Sequence, residues 1–328
     1  MRSRLLGLAH RDRYAAKIAT RFSRVVPADW ISSTIPWADF AATTARDQNE
    51  RKRFGMSKLH EIDIAYDFRT DARGKDPDSH SATLRRYHRL LWSKSLPAGK
   101  PFTLEDMRSK GYLSHRSERG ELQLSSDTVL RTFSAHKRMQ QIVSQIPLFE
   151  REDALHRGYT IGGMMLFPAK KIDGKQTINQ SRGTNRRIED RFDLTLECIR
   201  RHYVGMSSPL SEDLARYRTF FSLFADFQNY IDFFLLQDLV TVDYSAIRFW
   251  TPFSDFSCSP FPSDLDAYRQ YRTTMLDWID ARNQRIAIHC YSHEEMPHNK
   301  TDRDRGPDCS GAPPTPPGMR VRTGRFNF

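Results

Sequence analysis

The stretch Thr219-Phe220-Phe221-Ser222-Leu223-Phe224-Ala225-Asp226-Phe227-Gln228-Asn229-Tyr230-Ile231-Asp232-Phe233-Phe234-Leu235-Leu236 decides the reading of the fold. Its aromatic side chains fall almost all round a helical wheel, and a helix that is apolar on every side belongs in the middle of a protein. The spacing predicts one helix over about Glu212 to Leu239 as the central buried element. Within it Asp226, Asn229 and Asp232 fall at i, i+3 and i+6, and a buried carboxylate among them needs an Arg or Tyr partner. The apolar run from Phe227 to Val240 is interrupted by Asp232 and Asp238, too short and too charged to cross a bilayer. No membrane partner is expected.

Outward from this element the pattern mixes helices with short strands. On the N-terminal side, Ile188, Phe192, Leu196, Ile199 and Tyr203 lie within one arc, which predicts an amphipathic helix over about Arg186 to Tyr203. Leu84, Tyr87 and Leu91 predict a helix over Ser81 to Trp92, with Ser79 or Ser81 as its cap. Leu265, Tyr268, Tyr271, Met275 and Ile279 predict another from Ser263 to about Ile286, and Ser134 to Gln145 a further, less regular one. Period-two alternation from His60 to Phe68, the apolar run from Tyr159 to Phe167 ended by Pro168, and Ala246 to Trp250 predict three strands. The expected fold class is α+β: a predominantly helical domain with a small β-sheet packed on the central aromatic-rich helix.

At 328 residues and 38% hydrophobic content the chain has ample material for a core. Its net charge of +11 is unevenly spread: residues 1–55 carry +6, residues 291–328 carry +1, and the patterned part between them only +4. Nucleic-acid binding is therefore permitted by the charge and not demanded by it. Residues 1–55 are expected to form a basic, disordered extension, 56–290 a single globular domain, and 291–328 a disordered Pro-rich tail. Cys198, Cys258, Cys290 and Cys309 form no CxxC pair and no cluster with His, which suits a reducing, cytoplasmic setting.

Several strings, among them Thr83-Leu84-Arg85-Arg86-Tyr87-His88, Ile161-Gly162-Gly163-Met164-Met165, Arg191-Phe192-Asp193-Leu194-Thr195-Leu196-Glu197-Cys198-Ile199-Arg200-Arg201 and Phe233-Phe234-Leu235-Leu236-Gln237-Asp238-Leu239-Val240, resemble an uncharacterised bacterial protein family of unknown function. The resemblance runs over about residues 57–286. It implies a bacterial, cytoplasmic protein and carries no activity or site residue onto these positions.

Chemistry has to come from the residues themselves. Lys170, Lys171, Lys175, Arg182, Arg186 and Arg187 gather around Gly174 and Gly183, and on the predicted helix boundaries the last two arginines sit in a first turn, against the macrodipole. A phosphate-bearing ligand or nucleic acid would answer that charge through forked guanidinium bonds. The plainer account is that Glu189 and Asp190 already compensate it. Asp190, Asp193 and Glu197, at i, i+3 and i+7, would share a helix face able to hold a divalent metal for hydrolysis; Arg186, Arg200 and Arg201 at ion-pair spacing offer a structural account instead. Asp67, Asp71, Asp76 and Asp78 form an acidic strand end suited to metal or base chemistry, and equally to turns and helix caps. Cys198 reads as a core residue. Two functions follow: recognition of a phosphate-bearing ligand or nucleic acid through the loop at 170–187, with metal-dependent hydrolysis as an extension, or a noncatalytic protein-interaction or regulatory module.

Overall fold

The computed structural model describes residues 58–107, 112–118 and 120–292; the expected N-terminal extension and C-terminal tail lie outside them. The helices that matter here are α1 (Pro77–His80), α2 (Ala82–Trp92), α3 (Leu148–Gly158), α4 (Ile178–Thr184), α5 (Phe192–Tyr203), α6 (Ser211–Arg216), α7 (Arg218–Phe221), α8 (Phe227–Phe233) and α9 (Leu265–Ser292). The strands are β1 (Lys94–Ser95), β2 (Pro101–Phe102), β3 (Glu105–Asp106), β4 (Leu113–Ser117), β5 (Gly120–Thr128) and β6 (Met164–Pro168). β1 and β2 pair with each other, and β3-β4-β5-β6 form one antiparallel sheet in that order. The fold class is α+β, as expected.

The backbone of the assembly is α9, not the aromatic stretch. Its 28 residues extend roughly 42 Å. Tyr271, Met275, Trp278, Ile279, Arg282, Ile286 and Cys290 are buried along one stripe, at the spacing that keeps a helix face turned inward. The stripe packs on α3 and on the 3-10 turn Ile161–Gly163 that leads into β6. The approach there is close: Gly162 donates its N–H to Asn283 Oδ1 at 2.7 Å, and a Cβ on Gly162 would stand 2.5 Å from the carbonyl oxygen of Ile279. A residue without a side chain is what permits so close a backbone approach. The buried guanidinium of Arg282 ties the same turn down, donating to the carbonyls of Gly162 (3.0 Å), Met164 (2.9 Å) and Phe234 (3.0 Å).

The single helix expected over Glu212 to Leu239 is instead broken into α6, α7, α8 and the 3-10 turn Gln237–Leu239. Ala225 and Leu235 take left-handed φ values of 65° and 54°, and the Asp226 side chain caps α8 by accepting from Asn229 N at 2.7 Å. The break has a packing reason. A straight helix would point its rings in every direction, whereas the bent path folds them onto one another, with Phe224 within 5.0–5.4 Å, centroid to centroid, of Phe220, Tyr230, Phe233 and Phe234. All five rings are buried, as expected for a core element.

Of the three expected strands, only the run ending in Pro168 forms one, as β6. The stretch His60 to Phe68 is a series of turns because Asp63 competes with the alternation: its carboxylate accepts from Ala65 N at 3.0 Å, and its own N–H goes to Tyr87 Oη at 2.9 Å. Ala246 to Trp250 contributes one bridge, Val240 to Ile247. The sheet draws instead on the β4–β5 hairpin, whose serines, Gln123 and Asp127 hide the alternation, and on β3. The helix expected from Arg186 begins only at Phe192, while α9 closely follows the expected terminal helix.

Replacing Gly162 by Ala should therefore destabilise the chain by about 1–3 kcal/mol, since the backbone of Ile279 cannot move aside. Gly183→Ala, in α4 with nothing within 4 Å of the added carbon, should be neutral or stabilising by up to about 1 kcal/mol. Denaturant midpoints of the two variants check the contrast; equal effects would mean that α9 does not press on this turn.

Candidate functional site: a cationic cleft and the polar seam behind it

The turn between α4 and α5 shapes the site. Ile188 N and Glu189 N donate to Asn185 O at 3.0 and 2.8 Å, Arg187 N donates to Asn185 Oδ1 at 3.0 Å, and Glu189 and Asp190 adopt left-handed φ values of 48° and 65°. This path sends Ile188 into the core and leaves Arg186 and Arg187 exposed. Both arginines precede the helix rather than occupying its first turn, so they do not oppose its dipole. Among the described residues neither has an acidic partner within ion-pair distance.

Arg186 and Arg187 line a cleft of about 840 Å³ together with His136, Arg138, Glu189 and the loop Phe256 to Phe261. Arg138 lies over the Phe261 ring at 5.2 Å, and the His136 ring packs on the same phenyl at 4.5 Å. The one carboxylate in the lining, Glu189, is answered from within the protein by Arg131 Nη2 at 3.8 Å, with His136 Nε2 also at 3.8 Å. Cys258 faces the cleft half-exposed, its thiol 3.2 Å from the Ser254 hydroxyl; that hydrogen bond draws its pKa below the usual thiol value. The cleft is thus a hollow with three guanidinium groups that have no acidic partner among the described residues. Two of them belong to the loop singled out in the sequence; Arg138, His136 and the 256–261 loop come from distant segments that no local periodicity could bring together.

The other expected members of the basic site lie elsewhere. Arg182 is fully buried between Asp190 (Nε to Oδ1, 2.9 Å) and Asp127 (Nη1 to Oδ2, 3.7 Å), with the rings of Phe167 and Phe192 at 5.3 and 5.9 Å. It is occupied by the protein and has no face for a guest. Lys170, Lys171 and Lys175 are exposed beside α6, where Tyr217 Oη donates to Lys170 O and Arg216 donates to Gln176 O. Gly183 is exposed on α4. None of these five lines the cleft.

Nor do Asp190, Asp193 and Glu197 share a helix face. Asp190 precedes α5 and pairs with Arg182 and Arg131; Asp193 is buried against Arg191 (2.5 Å) and accepts from Trp250 N at 3.0 Å; Glu197 pairs with Arg200 at 2.8 Å and Arg201 at 2.7 Å. The described residues contain no group of three or more His, Cys, Asp or Glu side chains that could hold a metal ion. Asp226 caps α8, and Asp232 accepts from Tyr244 Oη and Gln237 Nε2 at 2.8 Å each, a structural network of the kind expected.

The acidic segment divides. Burial raises the Asp67 carboxyl, but bonds from His156 and Arg69 outweigh it and hold the group at about 2. Asp76 caps α1 through Asp78 N, and Asp71 accepts from Thr83 N at 3.0 Å, both as turn and cap residues. Asp78 does more. It faces Asp127 of β5, and burial together with repulsion from Asp127 and Asp76 pushes its pKa up to about 9. A polar seam then runs from Asp78 and Asp127 through Arg182, Asp190, Arg131 and Glu189 to His136 in the cleft.

A family model described as a family of unknown function, DUF6994, matches residues 62–286. The chain belongs to the DUF6994 family. The DUF6994 match takes in the sheet, most of α9, the seam and every residue named in the cleft. No curated protein and no solved structure matches. Among the described residues no helix is long and apolar enough to cross a membrane.

The raised pKa of Asp78 makes stability depend on pH in a defined direction. Folded Asp78 keeps its proton above the pH at which an aspartate of the unfolded chain ionises. Its contribution is complete below that ordinary value and is lost as pH rises through the raised one. Asp78→Asn removes this titration. Its melting temperature should rise relative to that of the unmodified chain between about pH 5 and about pH 9; a gap that stays constant would mean that folding does not raise the pKa of Asp78.

Proposed function

We propose that this DUF6994 protein binds a phosphate-bearing ligand in the cleft of Arg138, Arg186 and Arg187. One observation carries the reading: Arg186 and Arg187 project into an open hollow with no carboxylate of the described residues paired to them, although Arg131, Arg182 and Arg191 nearby are all paired. Guanidinium groups bind phosphate oxygens through two parallel bonds, and these charge-assisted contacts are the stronger kind. The volume falls within the range of small-ligand sites. That size and the mild charge of the patterned region favour a small ligand over a long nucleic acid. Metal-dependent hydrolysis through Asp190, Asp193 and Glu197 would require each carboxylate to leave its arginine first, so the proposal is binding.

The rival reading, a noncatalytic protein-interaction module, is supported by Leu148 and Phe149 at the start of α3, which are 65% and 74% exposed. Calorimetric titration with inorganic pyrophosphate and with a short single-stranded RNA separates the two. Binding of pyrophosphate should weaken roughly ten- to hundredfold for each of Arg186→Ala and Arg187→Ala, at about 1.5–3 kcal/mol per charged hydrogen bond, and fall as salt is raised. No binding, or binding indifferent to both substitutions, would reject the site.

A further inference from the structure

We infer that the ligand of this cleft is an organic diphosphate of nucleotide size, an inference that rests on the phosphate-binding reading above. The argument is one of charge and donor number. Glu189 is the one acid in the lining and is already contacted by Arg131 and His136, while Arg138, Arg186 and Arg187 have no acidic partner among the described residues. A phosphate monoester brings roughly −2 near neutral pH, and a terminal diphosphate roughly −3 by the same counting. The diphosphate matches the cleft. Two linked phosphates also spread their acceptor oxygens over a longer span than a single phosphate does, which suits donors that come from two separate elements.

Position separates the roles of the arginines. Arg186 and Arg187 are neighbours in one turn, suited to grip one phosphate together. Arg138 comes from a different element, the 3-10 turn Lys137–Met139, and is steadied by the Phe261 ring, which itself packs on buried Phe133 at 5.3 Å. A second phosphate linked to the first would give this third donor a partner of its own. The hollow is also several times larger than a diphosphate fills, and the loop beyond the arginines supplies Ser257, Cys258 and Ser259 beside the phenyl of Phe261. Polar groups next to a ring suit a hydroxylated, planar organic part such as a nucleoside.

The test titrates the full chain with ADP, AMP and pyrophosphate in the presence of EDTA. ADP should bind at least tenfold more tightly than AMP and measurably more tightly than pyrophosphate. Arg138→Ala, and Arg138→Gln with its similar stem, should bring ADP to the affinity of AMP while leaving AMP within about twofold, the change expected for losing one charged contact; a melting temperature equal to that of the unmodified chain confirms intact folding. Equal affinity for ADP and AMP, with both lost in Arg186→Ala, would overturn the diphosphate assignment and leave phosphate binding standing. Pyrophosphate as tight as ADP would overturn the organic part. Failure of all three ligands to bind would overturn both readings.

Discussion

A guanidinium group removed from water must find acceptors, and the rest of the structure depends on where Arg282 finds them. Burial pushes its pKa down to about 9, yet it keeps its charge at neutral pH and has three backbone carbonyls as partners. Two of them belong to the turn and first residue of β6, the third to the end of the aromatic region at Phe234. One side chain on α9 therefore fixes the entry of β6, the fully buried last strand of the sheet, and the point where the aromatic path bends. Gly162 makes the geometry possible, because any side chain there would collide with α9.

The same logic recurs at Arg182 and Arg191, both buried and both answered by carboxylates from neighbouring segments. This chain uses arginine as an internal fastener, which is why a sequence rich in Arg beside Asp and Glu reads ambiguously. Arg182 and Arg186 lie one helical turn apart and have opposite fates. Arg182 points along α4 into the seam, while Arg186 sits past the end of that helix, where the chain has already turned. Sequence spacing holds no record of that difference. It arises from left-handed residues at 189 and 190, neither of them glycine, and so from tertiary contacts rather than propensity.

What could be read from the sequence was what local pattern controls: the apolar arcs of α2, α5 and α9, the cap at Ser81, the apolar run ending at Pro168 and the buried character of the aromatic segment. What escaped was governed by contacts across long separations. The alternation before Phe68 lost to an Asp side chain that bonds its own backbone. The hairpin β4–β5 was concealed because its inward positions include Ser114, His115 and Ser126, and His88 of α2 reaches Ser126 at 2.9 Å to satisfy it. The cleft joins residues near 136, 187 and 258. Only the middle group carried a recognisable cluster of charge.

The left-handed pair Glu189–Asp190 has a consequence for anyone redesigning this protein. Each such residue costs of order 1 kcal/mol or more, held in place by Arg131 and Arg182 from below. The outward arginines are thus mounted on a strained bracket whose bolts are inward arginines. Altering the cleft by editing its rim leaves the bracket intact, but any change to the bolts will remodel rim and interior together. Sequence change that spares the fold is therefore channelled toward the rim.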